Sequence, residues 1–309
     1  LGLVVTTLSI GEVVLQQIVN GLILGSFYAL VALGYSMVYG IIKLLNFAHG
    51  DIYMTGAAAC LAVFGVLSAV IKGWPGIILS ILAAMVFAGI LGYLAQRFAY
   101  RPLLGAPRLS LLITAIGVSF VIYNSVMVIT DSQPQFFKSG LDDAAGIVLG
   151  SIKITYIQIV LISVSALLMV ALTFFIKNTM TGKAMRAIAQ DKDTCSLMGI
   201  NVNKIIGITF VIGSALAAIA GGLACVYYGN VKYDMGYAIG IKAFTAAVIG
   251  GIGSIPGAML GGLLLGLLEA IGTQFLGSQW KDVFAFGLLI LILILRPNGL
   301  LGKSEIERM

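Results

Sequence analysis

The sequence predicts an all-α fold, a polytopic bundle of membrane-spanning helices, and three observations carry that expectation. First, the 309 residues are 60% hydrophobic and 10% charged, with a mean hydropathy of +1.08, against about 45–50% apolar and 25% charged for an ordinary soluble domain. Second, uncharged runs recur at the roughly 20 residues that a helix needs to cross a bilayer. Third, those runs are continuous and lack the alternating segments, about ten residues each, of a membrane barrel. Only helices or closed barrels satisfy every backbone group in lipid.

The runs, in order, are Val13 to Ile42, Ile52 to Ile71, Gly76 to Gln96, Leu109 to Thr130, Ile154 to Ile176, Ile205 to Val231 and Ala243 to Leu268. The last is too long for one span, and Gly253, Pro256 and Gly257 split it in two. Between Val13 and Ile71 there is room for two long spans, or for two spans and a broken helix. Gly40 and the polar cluster from Asn46 to Asp51 favour a break. With four spans expected from 205 to 296, the total is about nine, within a range of roughly eight to ten.

Charge placement tests that count. Arg97, Arg101 and Arg108 follow the third span, and Lys177, Lys183, Arg186, Lys192 and Lys204 follow the fifth. Asp131, Asp142 and Asp143 lie in the long connection between those two groups, and Arg296, Lys303 and Arg308 lie in the tail. By the positive-inside rule the basic connections and tail are cytoplasmic, the acidic one is outside and the N-terminus is outside. The first run is too long for a cleavable signal and has no basic leader, so none is expected. Cys60, Cys195 and Cys225 have no metal-ligand spacing and do not report a redox compartment.

A trace of repetition accompanies the topology. "GSFYALVALGYSMVYG" from Gly25 resembles "GSALAAIAGGLACVYYG" from Gly213, and "GWPG" ending at Gly76 falls opposite "SIPG" ending at Gly257. Four spans, an odd one and four more make the second set upside down, as in inverted-repeat transporters, which place broken helices and the substrate pathway at the repeat interface.

Several polar residues require explanation inside this apolar chain. "KLLNFAHGDIYMTGA" carries Lys43, Asn46, His49 and Asp51. A charge deep in a bilayer costs at least about 2.5 kcal/mol and normally faces protein or a wet cavity. Asn46 or Asp51 could cap the helix that starts near Ile52. His49 and Asp51 either line a pathway or lie in an ordinary loop at the headgroup level. In "GGIGSIPGAMLGGLLLG", Gly253, Gly257 and Gly261 are spaced by four, as are Gly262 and Gly266. Such spacing stacks small residues on one helix face for close packing, and the stretch lacks the Lys-Ser/Thr ending of a phosphate loop. Lys242 and Glu269 lie on segments expected to be antiparallel. They could pair, although the long stem of Lys242 favours snorkelling to an interface.

Residues 178 to 207 differ in character. Ala184, Ala187 and Ala189, with Met185, Ile188, Leu197 and Met198, form short amphipathic helices that carry Lys183, Arg186, Asp191 and Lys192 between them. Gly199 ends that stretch, and Asn201 or Asn203 can cap the next span. A surface helix or a docking element for a soluble partner both fit. There is no H-E-x-x-H, G-x-S-x-G or nucleotide-binding loop, so no enzyme, cofactor or metal is expected. Uphill transport would draw on an ion gradient or on a partner's ATP.

Three stretches resemble one family. "NGLILGSFYALVALGYSMVYGIIKLLNFAHGDIYMTGA", "TGKAMRAIAQDKDTCSLMGINVNKIIGITFVIGSALAAIAG" and "KAFTAAVIGGIGSIPGAMLGGLLLGLLEA" are similar to signatures of permease subunits of bacterial ABC importers for branched-chain amino acids, in particular the high-affinity "H"-type permease. The likeness runs from about Gln16 to "RPNGLLG"; Cys195 stands where the family more often has alanine.

The resemblance implies one permease domain over 1–309. Residues 10–130 form an N-terminal repeat, 154–176 a connecting span, 178–203 a cytoplasmic coupling segment, 204–296 a C-terminal repeat and 297–309 a cytoplasmic tail. It implies a second homologous permease, two cytoplasmic ABC ATPase subunits and a periplasmic or lipid-anchored substrate-binding protein, all at the bacterial inner membrane. Lys183, Ala184, Arg186, Ala187, Ala189, Asp191 and Gly199 then belong to the ATPase-coupling segment. Asn46, His49, Asp51 and Ser254 are candidates for the translocation pathway. A urea or short-amide importer is the alternative within the family, and a gradient-driven transporter the alternative outside it.

Overall fold

The apolar run from Val13 forms one unbroken helix, α1 (Ile10–Ile42), about 50 Å long at 1.5 Å per residue. From Gly21 onward nearly every α1 side chain is buried, which makes it the central post of the bundle. This computed structural model describes residues 10–43, 45–138, 145–149 and 152–302. Asp142, Asp143, Lys303 and Arg308, and the side chain of Arg108, lie outside the described residues.

Next come α2 (His49–Leu67), α3 (Trp74–Leu94), a π-helical turn (Ala95–Tyr100) with a 3-10 turn (Arg101–Leu103), and α4 (Arg108–Ile129). Pro75 lies in the first turn of α3, where its missing N–H and fixed φ cost nothing. The long connection then pairs with itself and with the bundle: β1 (Gln135–Phe136) joins a later strand, and β2 (Gly146–Leu149) pairs antiparallel with β3 (Ile152–Thr155). A capping box of Thr155 and Gln158 starts α5 (Tyr156–Asn178). Short helices α6 (Met180–Gln190) and α7 (Lys192–Leu197) precede α8 (Val202–Tyr228) and β4 (Asn230–Val231), the partner of β1. The chain closes with α9 (Met235–Gly250), α10 (Ile255–Leu276), a 3-10 turn (Ser278–Trp280) and α11 (Lys281–Leu295).

Among the described residues eight helices are long and apolar enough to cross a membrane: α1 to α5, α8, α10 and α11, with α3 and α11 counted together with their adjoining turns. The split expected at Pro256 is present, and α9 is its shorter product. Its 16 residues reach about 24 Å, less than the hydrocarbon thickness of about 30 Å. The turn between α9 and α10 depends on Gly251 (φ +105°) and Gly253 (φ +88°), positions that a side chain would strain.

Packing is centred on two helices. α1 contacts α8, α9 and α10, while α8 contacts α2 and α3. By contrast, α4 and α11 expose Ile113, Phe120, Val121, Ile290, Ile294 and Leu295, the outward apolar faces of peripheral membrane helices. The glycine pattern of α10 has two faces where a single stripe was expected. Gly257 and Gly261 approach the α9 backbone at Gly250 and Ala246, whereas Gly262 and Gly266 approach α1 at Ala29 and Gly25. Gly253 belongs to neither face, because α10 begins only after Ser254.

Candidate functional site

The α1–α2 junction is a true break, with Lys43 in the left-handed region (φ 57°) and α2 starting at His49. His49 and Asp51 are therefore in the first turn of a buried helix, 1% and 5% exposed, and not in a loop. The capping expectation fails as well. No side chain caps α2; the Asn46 backbone carbonyl accepts from the His49 N–H at 3.0 Å. The Asn46 Oδ1 instead accepts from the Tyr100 hydroxyl at 2.6 Å. Asp51, already inside the helix, accepts a bond from the Ser119 hydroxyl of α4 through Oδ2.

His49 points a third way. Its ring meets Tyr35 of α1 edge-on, with centroids 4.9 Å apart. The imidazole occupies the space that a Cβ at Gly34 would take, and its Nε2 is buried without a hydrogen-bond partner. Behind it, Gly213 of α8 approaches Gly34. Next to it, Gly50 packs directly on the α9 backbone at Gly236 and Gly240. The three polar residues are thus near in sequence but divided between three neighbours: the π-turn, the α1–α8 seam and the α4–α9 side.

Ser254 comes to the same level of α1 from the other side. It caps α10, its hydroxyl accepting from the Gly257 N–H at 3.3 Å. The preceding residue, Gly253, donates its N–H to Ser36 Oγ at 3.0 Å. Residues 34 to 40 of α1 therefore lie between two helix breaks, with His49 at Gly34 and Tyr35 and the α9–α10 turn at Ser36 and Gly40.

A second polar group lies between α9, α10 and α11. Glu269 is fully buried, and its Oε1 is 3.1 Å from Lys242 Nζ and 2.9 Å from Lys281 Nζ. The Tyr28 hydroxyl donates to the same carboxylate, with oxygens at 2.9 and 3.1 Å, and Lys242 also meets Asp282 at 3.0 Å. Lys242 does not snorkel. It is 8% exposed and points inward because a carboxylate waits there, which offsets its desolvation. Sequence reasoning missed Tyr28, Lys281 and Asp282 as members. The adjacent Lys281 and Asp282 between apolar runs were the available signal.

The 178–203 segment folds against the end of the bundle where α5 stops and α8 starts. Thr179 caps α6, Asp191 caps α7 by accepting from Asp193 and Thr194 N–H groups at 2.9 and 3.0 Å, and Asn201 caps α8. The Thr194 hydroxyl and backbone hold the Asp191 carboxyl below the usual carboxylate range. Gly199, with φ +82°, ends the segment as expected. On α6, Met185 and Ile188 are buried, while Lys183 and Arg186 are exposed and Ala184, Ala187 and Ala189 lie between. Leu197 and Met198 of the α7 end are 89% and 78% exposed. A cavity of about 80 Å³ joins α6 (Met185, Arg186, Ala189) to Ser36 and Gly40 of α1 and to Gly253 and Ile255.

Comparison with known proteins finds similarity along almost the whole chain. The family described as "Branched-chain amino acid transport system / permease component" matches residues 17–293. A high-affinity branched-chain amino acid transport system permease, BraD of Pseudomonas aeruginosa, is 49% identical over 95% of this chain and 97% of its own length. LivH of Escherichia coli K12, named in the same way, is 44% identical over 95% and 97%. LivM of the same organism, also named a permease of that system, is 28% identical over 48% of this chain and 36% of its own. With a bundle of membrane-length helices and a match over almost all of it, the chain belongs to the family of permease components of branched-chain amino acid transport systems.

Proposed function

We propose that this multi-pass membrane protein is the permease subunit of an ATP-binding-cassette importer that moves leucine, isoleucine or valine across the bacterial inner membrane. The observation that carries this reading is the near-full-length similarity to BraD and LivH, both named as high-affinity branched-chain amino acid permeases. An extracytoplasmic binding protein delivers the amino acid, and two cytoplasmic ATPase subunits hydrolyse ATP. The chain itself catalyses no reaction. The partial likeness to LivM supports pairing with a second, homologous permease.

The internal geometry supports a mechanism of alternating access. In this reading residues 178–203 dock on an ATPase, with Lys183 and Arg186 outward and Met185 and Ile188 seated on the bundle. Displacement of α6 would press on the small cavity shared with Ser36, Gly40 and Gly253, at the level of α1 where both helix breaks meet. Asn46, His49, Asp51 and the α10 start at Ser254 would relieve the zwitterionic head of the solute, while apolar walls suit its side chain. In this reading the two halves form an inverted repeat with α8 as the counterpart of α1, which the packing supports: α1 contacts α9 and α10, and α8 contacts α2 and α3. The basic connections and tail are cytoplasmic in this arrangement.

The test is reconstitution of the chain with its ATPases, second permease and binding protein in proteoliposomes. ATP-dependent uptake of labelled leucine, isoleucine or valine is expected, with none for urea or acetamide. Uptake driven by an ion gradient without ATPases would replace the importer with a stand-alone transporter. His49→Ala and Asp51→Asn are expected to reduce transport per ATP hydrolysed. Wild-type rates in both would make the α2 start structural.

A further inference from the structure

The cleft between α3 and α8 carries charge for which the transport reading has no use. Arg97 of the π-turn, Arg101 of the following 3-10 turn and Lys204 of the first turn of α8 line a cavity of about 480 Å³ with Tyr93, Gln96 and Asn203. No carboxylate lines it, and among the described residues none of these three cations is in an ion pair. Arg97 donates to the Tyr93 hydroxyl at 3.2 Å. The three cations are exposed and line a shared space with no carboxylate partner among the described residues.

Gln96 gives that space a direction. It is 2% exposed and lines the same cavity, and its Nε2 is buried with no hydrogen-bond partner. Its Oε1 is the atom nearer the cavity-lining Gly207, and a turn of the side-chain amide would present the unmatched Nε2 to an acceptor there. The π-turn that carries Gln96 is a rare backbone form that concentrates at functional positions. The first turn of α8, a 27-residue helix, lines the cleft through Asn203 and Lys204, and the N–H groups not taken by the Asn201 cap favour an anion. Away from the charges, Tyr93, Ile208 and Val211 extend the wall with apolar surface, and Gly207 leaves it open between Tyr93 and Gln96.

We propose that this cleft binds a phosphate group, supplied by the headgroup of an anionic phospholipid whose acyl chain follows the apolar wall. Arg97, Arg101 and Lys204 hold the charge, and Gln96, its amide turned toward the cleft, donates from the buried side. A charged end and an apolar end in one cleft, at the basic end of the spans, match how basic pockets between membrane helices take lipid headgroups. The apolar wall favours the lipid over a free ion.

Native mass spectrometry of the full-length protein in mild detergent tests this, with dioleoylphosphatidylglycerol, dioleoylphosphatidylcholine and inorganic phosphate as probes. Phosphatidylglycerol is expected to be retained at least about tenfold better than phosphatidylcholine, and millimolar inorganic phosphate is expected not to displace it. The triple variant Arg97→Gln/Arg101→Gln/Lys204→Gln is expected to weaken retention about a hundredfold, at about fivefold per cation. Gln96→Leu, which keeps all three charges, is expected to weaken it several-fold.

Unfolding of each variant in lipid-free detergent checks the fold. If the triple variant does not fold, the exposed single change Lys204→Gln carries the test, with about a fivefold loss expected. Equal retention of both lipids, or unchanged retention in the folded variant, overturns the proposal. Displacement by inorganic phosphate alone assigns the cleft to the free ion and overturns the lipid. Loss of partner subunits from the purified complex with lipid retention unchanged makes it a protein interface and overturns it too.

Discussion

The polar groups at the start of α2 each go to a different neighbour, whereas those between α9, α10 and α11 gather on one carboxylate. Asn46 reaches Tyr100, Asp51 reaches Ser119 and His49 fills the notch at Gly34. Glu269, by contrast, takes Lys242, Lys281 and Tyr28 at once. The difference follows from charge. Asn46 and Asp51 each meet a single hydroxyl, whereas the buried ammonium of Lys242 and the half-exposed one of Lys281 are drawn to one fully buried carboxylate. One cluster is divided among the helices it touches, and the other binds its helices together.

The largest expected effect breaks the gathered cluster. Glu269→Ala leaves the buried Lys242 with only the exposed Asp282 and the half-exposed Lys281 without its carboxylate, and removing one partner of a buried pair costs about 3–5 kcal/mol. Thermal and chemical unfolding of the detergent-solubilised protein reads that loss. Adding Lys242→Met and Lys281→Met to Glu269→Ala is expected to recover most of it, because apolar replacement of a whole buried ionic group is close to neutral. Failure to recover would mean that the cluster also fixes how α9, α10 and α11 fit.

In the divided cluster, the sharper lesion is steric. Gly34→Ala places a methyl on the imidazole of His49 in a packed seam, and overpacking of this kind costs about 2–3 kcal/mol. His49→Ala in the same chain is expected to restore part of the stability, and a double-mutant cycle of unfolding midpoints measures the coupling. Tyr100→Phe is milder. It leaves the buried Asn46 Oδ1 without its donor, a loss of about 1–2 kcal/mol, and is expected to be independent of Gly34→Ala because the two residues serve separate partners. Strong coupling between them would join what the geometry separates.

These partners mark where the sequence stopped being readable. Helix identity, the split at Pro256 and the cap at Asn201 depend on composition and short-range pattern, and they are legible along the chain, whereas the caps at Thr179 and Asp191 went unread. Tyr100 and Ser119 lie 54 and 68 residues from the groups they bind, and no local signal connects them. The inward turn of Lys242 was hidden for a similar reason: stem length favours snorkelling unless a buried anion is near, and the helix packing decides that. Strand β1 of the 131–155 connection was hidden too, because it pairs with β4 across nearly a hundred residues, from Gln135 to Val231. Even the glycines of α10 conveyed close approach without revealing that it is made on two faces, to α9 and to α1.

The smallest expected effect tests the rim of the gathered cluster. Asp282 meets Lys242 at 3.0 Å, as near as Glu269 does, but its side chain is 71% exposed against 0% for Glu269. Distance alone would make the two carboxylates equal partners, whereas solvent makes them unequal. Water already compensates the Asp282 charge, and Lys242 keeps Glu269 when Asp282 is gone. Asp282→Asn is therefore expected to cost only about 0–1 kcal/mol, the range of an exposed ion pair. The same substitution compared between the isolated chain and the assembled complex sharpens the contrast. A cost that rises in the complex would mean that a partner covers this end of α11 and turns a rim contact into a buried one.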